Sequence, residues 1–193
     1  MSDYRFSHTL GVEAMAIKLG ELYAPDKIMT LRAAALLHDV TKENSFEKQL
    51  QICEKLGIII SSAKKSAPKT LHAITGSAII PVEYPEFATD EVTECVKWHT
   101  TGKENMSICE KLIYFADYIE DGRTLEYCVA LRDYFFSASP EKMTSEDRLI
   151  HLDNSLILSF DMTIKHLLSK GATIDPDTTA ARNWLITNKK QLI

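Results

Sequence analysis

Cysteine, glycine and proline are scarce in this sequence, and it has no long apolar run. Its 193 residues include only four cysteines, seven glycines and six prolines, which excludes collagen-like and low-complexity proteins. No window reaches the ~18 uncharged apolar residues that a membrane-spanning helix requires. Residues 1–5 also lack the apolar stretch of a secretory signal peptide. We therefore expect a cytoplasmic protein that has no membrane partner.

The cysteines and the charge balance exclude further classes. The four cysteines form no C-x-x-C pair and lie in segments with helical apolar periodicity, so we expect buried free thiols. Acidic residues outnumber basic ones by 27 to 22, and the net charge is −5. The chain thus lacks the excess of basic residues typical of nucleic-acid-binding proteins. A small phosphorylated ligand remains compatible, because it needs only a local positive site, often a metal.

Helical periodicity dominates what is present. Apolar residues recur at i, i+4 and i+7 from Ser7 onward, and residues 144–170 predict a long amphipathic helix that Gly171 stops. Ser107 and Glu110 have the spacing of a capping box. The strand-like residues 58–60 are too short and isolated to make a sheet. With no internal repeat and no linker, the sequence predicts one all-α domain, a helical bundle over residues 1–193.

Five polar residues occupy apolar or helix-terminal positions without a local reason. We expect His8 to open a helix, His38 and His99 to end helices, and His72 to lie just inside one. Asp117 interrupts an apolar stretch, where a lone buried carboxylate is costly unless it meets a cation. We predict that helices converge to place these five groups around a divalent metal ion. The alternative is that each histidine is a core or capping residue and Asp117 an exposed kink.

The His38–Asp39 pair is the most informative of these features. Neighbouring residues on a regular helix point ~100° apart, so both can serve one site only where the helix ends or distorts. The β-branched Val40 and Thr41, followed by Lys42, supply such an end. An aspartate there can bridge two metal ions ~3.5–4 Å apart, as in two-metal hydrolases.

Several motifs together resemble one enzyme superfamily. They are Arg5-x-x-His8, His38-Asp39-x-x-Lys42, Leu71-His72-Ala73, Trp98-His99-Thr100-Thr101-Gly102, Ala116-Asp117-Tyr118-Ile119-Glu120-x-Gly122-Arg123 and Pro176-Asp177-Thr178. They extend over nearly the whole chain. The sequence resembles the HD-domain metal-dependent phosphohydrolases and, among them, the bacterial symmetrical diadenosine tetraphosphatases. The resemblance implies hydrolysis of diadenosine tetraphosphate into two ADP.

The resemblance also implies roles for individual residues. It assigns a first metal ion to His8, His38, Asp39 and Asp117. His72 and His99 then complete a second metal site, contact the phosphates, or protonate the leaving diphosphate. The implied catalytic residues are His38, Asp39, His72, His99 and Asp117. The implied substrate-binding residues are His8, Asp39, Val40, Thr41, Lys42, His72, His99, Thr100, Asp117 and Arg123 for the phosphates, with Asp175, Pro176, Asp177, Thr178, Thr179 and Ala180 for the nucleoside.

The cofactor and the substrate leave alternatives open. Imidazole and carboxylate donors favour iron, manganese, cobalt or zinc over magnesium or Cu(I), and the resemblance implies iron, as one or two ions. Other interpretations are hydrolysis of a nucleoside monophosphate or another phosphate ester, and a nucleotide-sensing domain with negligible turnover.

Some residues also have a purely structural interpretation. Lys42 can be a solvated helix-end cation, and Arg123 a surface ion-pair residue. Trp98 and Tyr118 can stack on an adenine or serve as core walls. Residues 125–136, which are aromatic and apolar, fit the core or the interface of a homodimer.

Overall fold

The structure, a computed structural model, describes residues 1–188 and consists of helices joined by short turns and loops. Over this range there are ten α-helices and no strand, which confirms the predicted all-α class. The helices are α1 (Asp3–Tyr23), α2 (Ile28–Leu37), α3 (Phe46–Lys55), α4 (Ser62–Ser66), α5 (Leu71–Glu83), α6 (Asp90–Trp98), α7 (Ile108–Ile119), α8 (Glu126–Ser137), α9 (Ser145–Ser169) and α10 (Pro176–Asn188). In the same range no helix has both the length and the apolarity to cross a bilayer.

The core lies between α1, α2 and α7, with α6, α8, α9 and α10 packed around them. Leu19, Leu31, Leu112, Phe115 and Phe160 are fully buried there. Burying a side chain of this size stabilises the fold by about 1.5–3 kcal/mol, so this cluster fixes how the five site-bearing helices sit. The four cysteines are buried and free, as predicted.

Two helix ends direct the chain toward one point. α2 ends at Leu37, and a tight turn follows in which the Val40 N–H donates to the Leu37 carbonyl at 3.2 Å and the Lys42 N–H to that of Asp39 at 2.9 Å. This turn confirms the predicted helix end at His38–Asp39. α6 likewise ends just before His99.

The predicted start of the first helix is wrong. The Ser2 hydroxyl accepts the Arg5 N–H and caps a helix that begins at Asp3, so His8 lies in its second turn. The apolar stripe that suggested a start at Ser7 begins later than the helix, because no residue of the first turn is buried. His8 consequently reaches the site from the side of a helix and not from its end.

The sequence also favours Asp90 as the cap of α6, Asp177 as the cap of α10 and Leu149 on the buried stripe of α9, and the structure differs in all three. Thr89, and not the following residue, caps α6, because its hydroxyl accepts the Val92 N–H. Asp175 precedes α10, and its carboxylate accepts the Asp177 N–H at 3.1 Å, so Asp177 is not the cap. Leu149, placed by periodicity on the buried stripe of α9, is 47% exposed. The predicted capping box of α7 and the helix stop at Gly171 are confirmed.

Gly102 closes the turn after α6 in a conformation that only glycine adopts easily. Its φ is +64°, and a Cβ there would lie 2.7 Å from the Phe160 ring and 3.1 Å from Ala181. Gly57 has a similar φ of +68° with nothing within 4 Å of a Cβ. We expect Gly57→Ala to cost about 1 kcal/mol of backbone strain, and Gly102→Ala about 3 kcal/mol because overpacking adds to that strain. Urea unfolding measures both losses, and equal losses would contradict the packing argument.

Candidate functional site

Six polar side chains from five helices or their ends meet in the interior. They are His8 on α1, His38 and Asp39 after α2, His72 on α5, His99 after α6 and Asp117 on α7. The four histidines are at most 4% exposed. The Asp117 side chain is 19% exposed and the Asp39 side chain 3%, so the cluster opens to solvent at Asp117. The structure thus brings together every residue for which the sequence predicted a metal-binding role.

Asp39 joins two groups of these residues. Its Oδ2 lies 3.4 Å from His38 Nε2 and 3.7 Å from His8 Nε2, and Asp117 Oδ1 completes this group 3.0 Å from His8 Nε2. Its Oδ1 lies 3.1 Å from His72 Nε2 and 3.5 Å from that of His99. One carboxylate therefore presents a separate oxygen to each pair of histidines, as a bridging ligand would.

Each of the four imidazoles is oriented through its Nδ1. The acceptors are Glu120 Oε1 for His8 at 3.1 Å, Ala35 O for His38 at 2.6 Å, Lys69 O for His72 at 2.9 Å and Val96 O for His99 at 2.7 Å. Carbonyl and carboxylate oxygens only accept hydrogen bonds, so each Nδ1 carries a proton. All four Nε2 atoms thus face the centre of the cluster, the arrangement found in metal-ligating histidines.

The cluster has the properties of a cation site. Two neutral imidazoles would present unprotonated Nε2 atoms to each other at 3.4 Å for His8 and His38, and at 3.1 Å for His72 and His99. Such contacts are repulsive unless a positive charge lies between them. Asp39 Oδ1 is buried without a hydrogen-bond partner. Imidazole and carboxylate donors suit a divalent transition metal, and two sets of them lie within 4.8 Å, so the residues fit a metal ion.

The electrostatics agree with a need for positive charge. Burial disfavours ionisation of Asp39 and Asp117, but the neighbouring imidazoles, and for Asp117 also Arg123, hold the pKa of both carboxyls well below the usual range. Burial likewise disfavours a charged His38 ring, yet Asp39 and Asp117 raise its pKa. Burial lowers the pKa of His72 to about 4. The two aspartates are therefore ionised at neutral pH, and His72 is neutral.

Three cations surround the carboxylates. Arg5 pairs with Asp39 Oδ2, and Arg123 donates to Asp117 Oδ1 at 2.5 Å and to the carbonyl of the same residue at 2.9 Å. Lys42 donates to His72 Nε2 at 3.0 Å. The sequence predicted phosphate contacts for Lys42 and Arg123, but Arg5 was only part of a motif and received no role. A phosphate at the cluster would meet positive charge on several sides.

Glu120 is a further residue at the site, and, like Arg5, it was part of a motif without a predicted role. It is 3% exposed, and besides accepting from His8 it accepts the Gly122 N–H at 2.5 Å. Arg132 holds its backbone carbonyl at 2.7 Å, and a Cβ at Gly11 would collide with its carboxylate. Its contact with His8 spans 112 positions, so no local pattern reveals it.

The remaining predicted phosphate-site residues have mixed placements. Thr100 Oγ1 lies 3.1 Å from His72 Nε2 and 3.0 Å from His99 Nε2, so it is at the cluster and can donate its one proton to either nitrogen. The Thr41 side chain is buried, with its hydroxyl bonded to the His72 carbonyl at 2.8 Å and 2.9 Å from Thr75 Oγ1. Both partners of that hydroxyl lie on α5. The Val40 side chain also lies against α5, next to Gly76.

The predicted nucleoside segment, residues 175–180, lies on the His72 side of the cluster. Asp175 accepts hydrogen bonds from Lys64 at 2.8 Å and from Thr70 at 3.1 Å, next to the start of α5. Asp177 also pairs with Lys64, at 2.7 Å. Within the segment Thr178 is buried, and the Thr179 hydroxyl donates to the Pro176 carbonyl.

Comparisons with known proteins agree with this geometry. The family model described as HD domain matches residues 5–122, a span that includes all six cluster residues. Two proteins named symmetrical bis(5'-nucleosyl)-tetraphosphatase are similar along nearly their whole length. The protein from Halalkalibacterium halodurans is 32% identical, and the match covers 98% of this chain and 93% of that protein. The protein from Staphylococcus aureus is 31% identical, and the match covers 95% of this chain and 88% of that protein.

A solved structure is similar as well. It is described as a predicted HD superfamily hydrolase involved in NAD metabolism from Clostridium acetobutylicum. Its TM-score is 0.84 at 32% identity, covering 98% of this chain and 92% of that one. The family match, the relatives and the metal-fitting cluster lead to one conclusion: this chain belongs to the HD-domain family.

Proposed function

We propose that this protein hydrolyses diadenosine tetraphosphate symmetrically, to give two molecules of ADP. The observation that carries the proposal is the Asp39 carboxylate, which joins two pairs of histidines beside three cations. A polyanionic substrate needs such a combination of metal ligands and cations. The name shared by the similar proteins supports this particular substrate.

The residues present would hold two divalent ions. His8, His38, Asp117 and Asp39 Oδ2 form one donor set, and His72, His99 and Asp39 Oδ1 form the other. We propose iron, with manganese, cobalt and zinc as ions that the same donors accept. A divalent cation supplies Lewis acidity there, because it polarises a phosphoryl oxygen and makes water acidic enough to lose a proton near neutral pH.

His72 and His99 act as ligands in this proposal. A general acid needs a proton on the nitrogen that faces the substrate, but in both rings the proton is on Nδ1, which donates to a backbone carbonyl. The facing Nε2 atoms of His72 and His99 therefore carry no proton. Their lone pairs are thus available to a cation.

The cations of the chain bind and orient the phosphates. Arg123 and Arg5 can each place two N–H groups on phosphate oxygens, and Lys42 adds a point charge beside Asp39. Negative charge that shifts onto those oxygens during bond cleavage would be stabilised by groups already in position. Symmetrical products require the cluster to lie at the middle of the tetraphosphate, with one nucleoside diphosphate extending to each side.

Two further properties complete the proposal. The reaction takes place in the cytoplasm, where thiols stay reduced, and the four free buried cysteines support this location. Residues 1–193 form one domain, and the core supports this because a single cluster of buried side chains runs from Val12 on α1 to Leu185 on α10.

Product analysis tests the proposal. The protein loaded with iron or manganese should convert diadenosine tetraphosphate to ADP alone, measured by anion-exchange chromatography. ATP together with AMP would contradict symmetrical cleavage. Binding of diadenosine tetraphosphate without any turnover would instead indicate a sensing domain. Release of phosphate from AMP at a higher rate than release of ADP from diadenosine tetraphosphate would indicate a nucleotidase.

A further inference from the structure

We propose that a pocket between α7, α8 and α9 binds one of the two nucleobases of the substrate. This aromatic pocket is lined by Tyr114, Tyr118, Tyr127, Thr163, His166 and Leu167. The inference rests on the proposed function for its substrate, but the pocket and its chemistry are independent features of the structure.

The position of the aromatic pocket connects it to the metal-fitting cluster. His99, Thr100 and Asp117 line its inner end, and Asp117 is the most exposed carboxylate of the cluster. The cavity measures about 200 Å³. Pockets for whole drug-sized ligands usually measure ~300–1,000 Å³, so this one suits a single ring system and not a dinucleotide.

The walls of the pocket suit a flat, uncharged ring. The Tyr127 ring lies 5.9 Å from that of Tyr118 and 5.6 Å from that of His166, with interplanar angles of 49° and 46°. These rings are tilted and not stacked face to face. Stacking on aromatic side chains is a general way of binding bases, because every base has a π-face.

The charge distribution separates base from phosphate. Among residues 1–188, no lysine, arginine or glutamate lines the aromatic pocket, and Asp117 at its inner end would repel an anion. Arg5, Lys42 and Arg123 lie beside the carboxylates of the cluster. A nucleotide with its phosphates on these cations can therefore extend only its uncharged portion into the pocket.

One buried polar atom in the pocket needs a partner. The Tyr118 hydroxyl is inaccessible to solvent and makes no hydrogen bond of ordinary geometry, although Thr163 lies close to it. Buried hydroxyls are almost always hydrogen-bonded. The ring nitrogens and the exocyclic amine of adenine offer both acceptors and donors.

The symmetry of the substrate explains why a second base site is needed. Residues 175–180, which the sequence predicts to contact one nucleoside, lie next to Lys64 and Thr70 on the His72 side of the cluster, through hydrogen bonds to Asp175. The aromatic pocket belongs to α7, α8 and α9 and begins at Asp117. Two distinct surfaces thus adjoin the cluster, and each can accept one nucleoside when the middle of the tetraphosphate lies at the metals.

Titration with adenosine alone tests the occupant without requiring catalysis. In the full chain with leucine methyl groups labelled with ¹³C, millimolar adenosine should shift the Leu167 resonance and leave that of the fully buried Leu131 unchanged. Inorganic tripolyphosphate should leave Leu167 unchanged. No Leu167 shift with adenosine, or an equal shift with tripolyphosphate, would overturn the proposal.

Variants of Tyr127 identify the stacking surface. Tyr127→Ala should weaken adenosine binding by about tenfold, whereas Tyr127→Phe should keep it within about twofold. The matched control is Tyr134→Ala, which removes another partly exposed α8 tyrosine that contacts a histidine ring, at 5.5 Å from His151. Equal losses in Tyr127→Ala and Tyr134→Ala would contradict the pocket.

Kinetics separate this inference from the proposed function. In Tyr127→Ala the KM for diadenosine tetraphosphate should rise about tenfold with little change in kcat. Wild-type protein that shifts Leu167 with adenosine but releases no ADP from the dinucleotide would refute the function and leave the base site standing. ADP release with an unchanged KM in the variant would refute the base site alone.

Discussion

Asp39→Asn should remove most bound metal and lower kcat by at least about 1,000-fold. The substituted amide would keep the shape of the side chain, but it would lose the negative charge and one of the two oxygens. The two pairs of histidines would then have no shared carboxylate between them, since Oδ2 faces His8 and His38 while Oδ1 faces His72 and His99. Losing several kcal/mol of metal-ion stabilisation corresponds to three or more orders of magnitude in rate.

The measurement combines metal content with activity. Elemental analysis should find about two ions per chain in the wild type and less than half an ion in Asp39→Asn. Asp161→Asn is the matched control, because Asp161 forms a surface ion pair with Arg182. It should retain metal and activity, and all three proteins should have the same helical circular dichroism. Full metal occupancy in Asp39→Asn would show that Asp39 does not bridge the ions.

Local features of the sequence predicted much of the fold. Ser45, Ser107 and Thr144 cap helices because a hydroxyl at the N-cap satisfies a free backbone N–H, and this depends on only a few neighbouring residues. Gly57 and Gly171 end helices with positive φ for a similarly local reason. Such signals are present in the sequence whatever the tertiary structure.

Where the prediction was wrong, two local signals competed or packing decided the outcome. At the N-terminus the apolar stripe suggested a start near Ser7, but the Ser2 cap starts α1 at Asp3, four positions earlier. Leu149 has the right spacing for the buried face of α9, yet it is 47% exposed, because no helix within the described residues 1–188 covers it enough to bury it. Periodicity gives the face of a helix, whereas burial depends on what packs there.

Some features of the candidate site could likewise be predicted from local sequence, and others could not. The turn at His38–Asp39 could be predicted because a regular helix cannot direct both residues to one point. The two-sided use of Asp39, and the contact of Arg5 with it, depend on how α1, α5 and α6 meet and have no local signature. Glu120 is the clearest case, because its role at the site is a hydrogen bond with His8, which lies 112 positions away in the sequence.

Glu120→Ala should weaken metal binding by about 10- to 100-fold and leave kcat near that of the wild type at saturating metal. Glu120 accepts the Nδ1 proton of His8 at 3.1 Å and so keeps the His8 Nε2 lone pair directed at the cluster. Such carboxylate–histidine pairs typically contribute this much to metal affinity. Glu120 touches neither substrate nor reacting atoms, so excess metal should restore the rate, and it is a positioning residue.

The control is another buried glutamate close by in sequence. Glu110 lies on α7, caps it through Ser107 and pairs with Lys103 at 2.7 Å, away from the cluster. Glu110→Ala should destabilise the fold by about 1 kcal/mol through loss of the cap, with unchanged metal affinity in chelator competition. ¹⁵N spectra should show the His8 proton leaving Nδ1 for part of the population only in Glu120→Ala. Equal losses of metal affinity in both variants would show that Glu120 has only a structural role. If Glu120 orients His8, metal affinity should fall only in the variant that changes the His8 tautomer, and not in the one that only destabilises the helix.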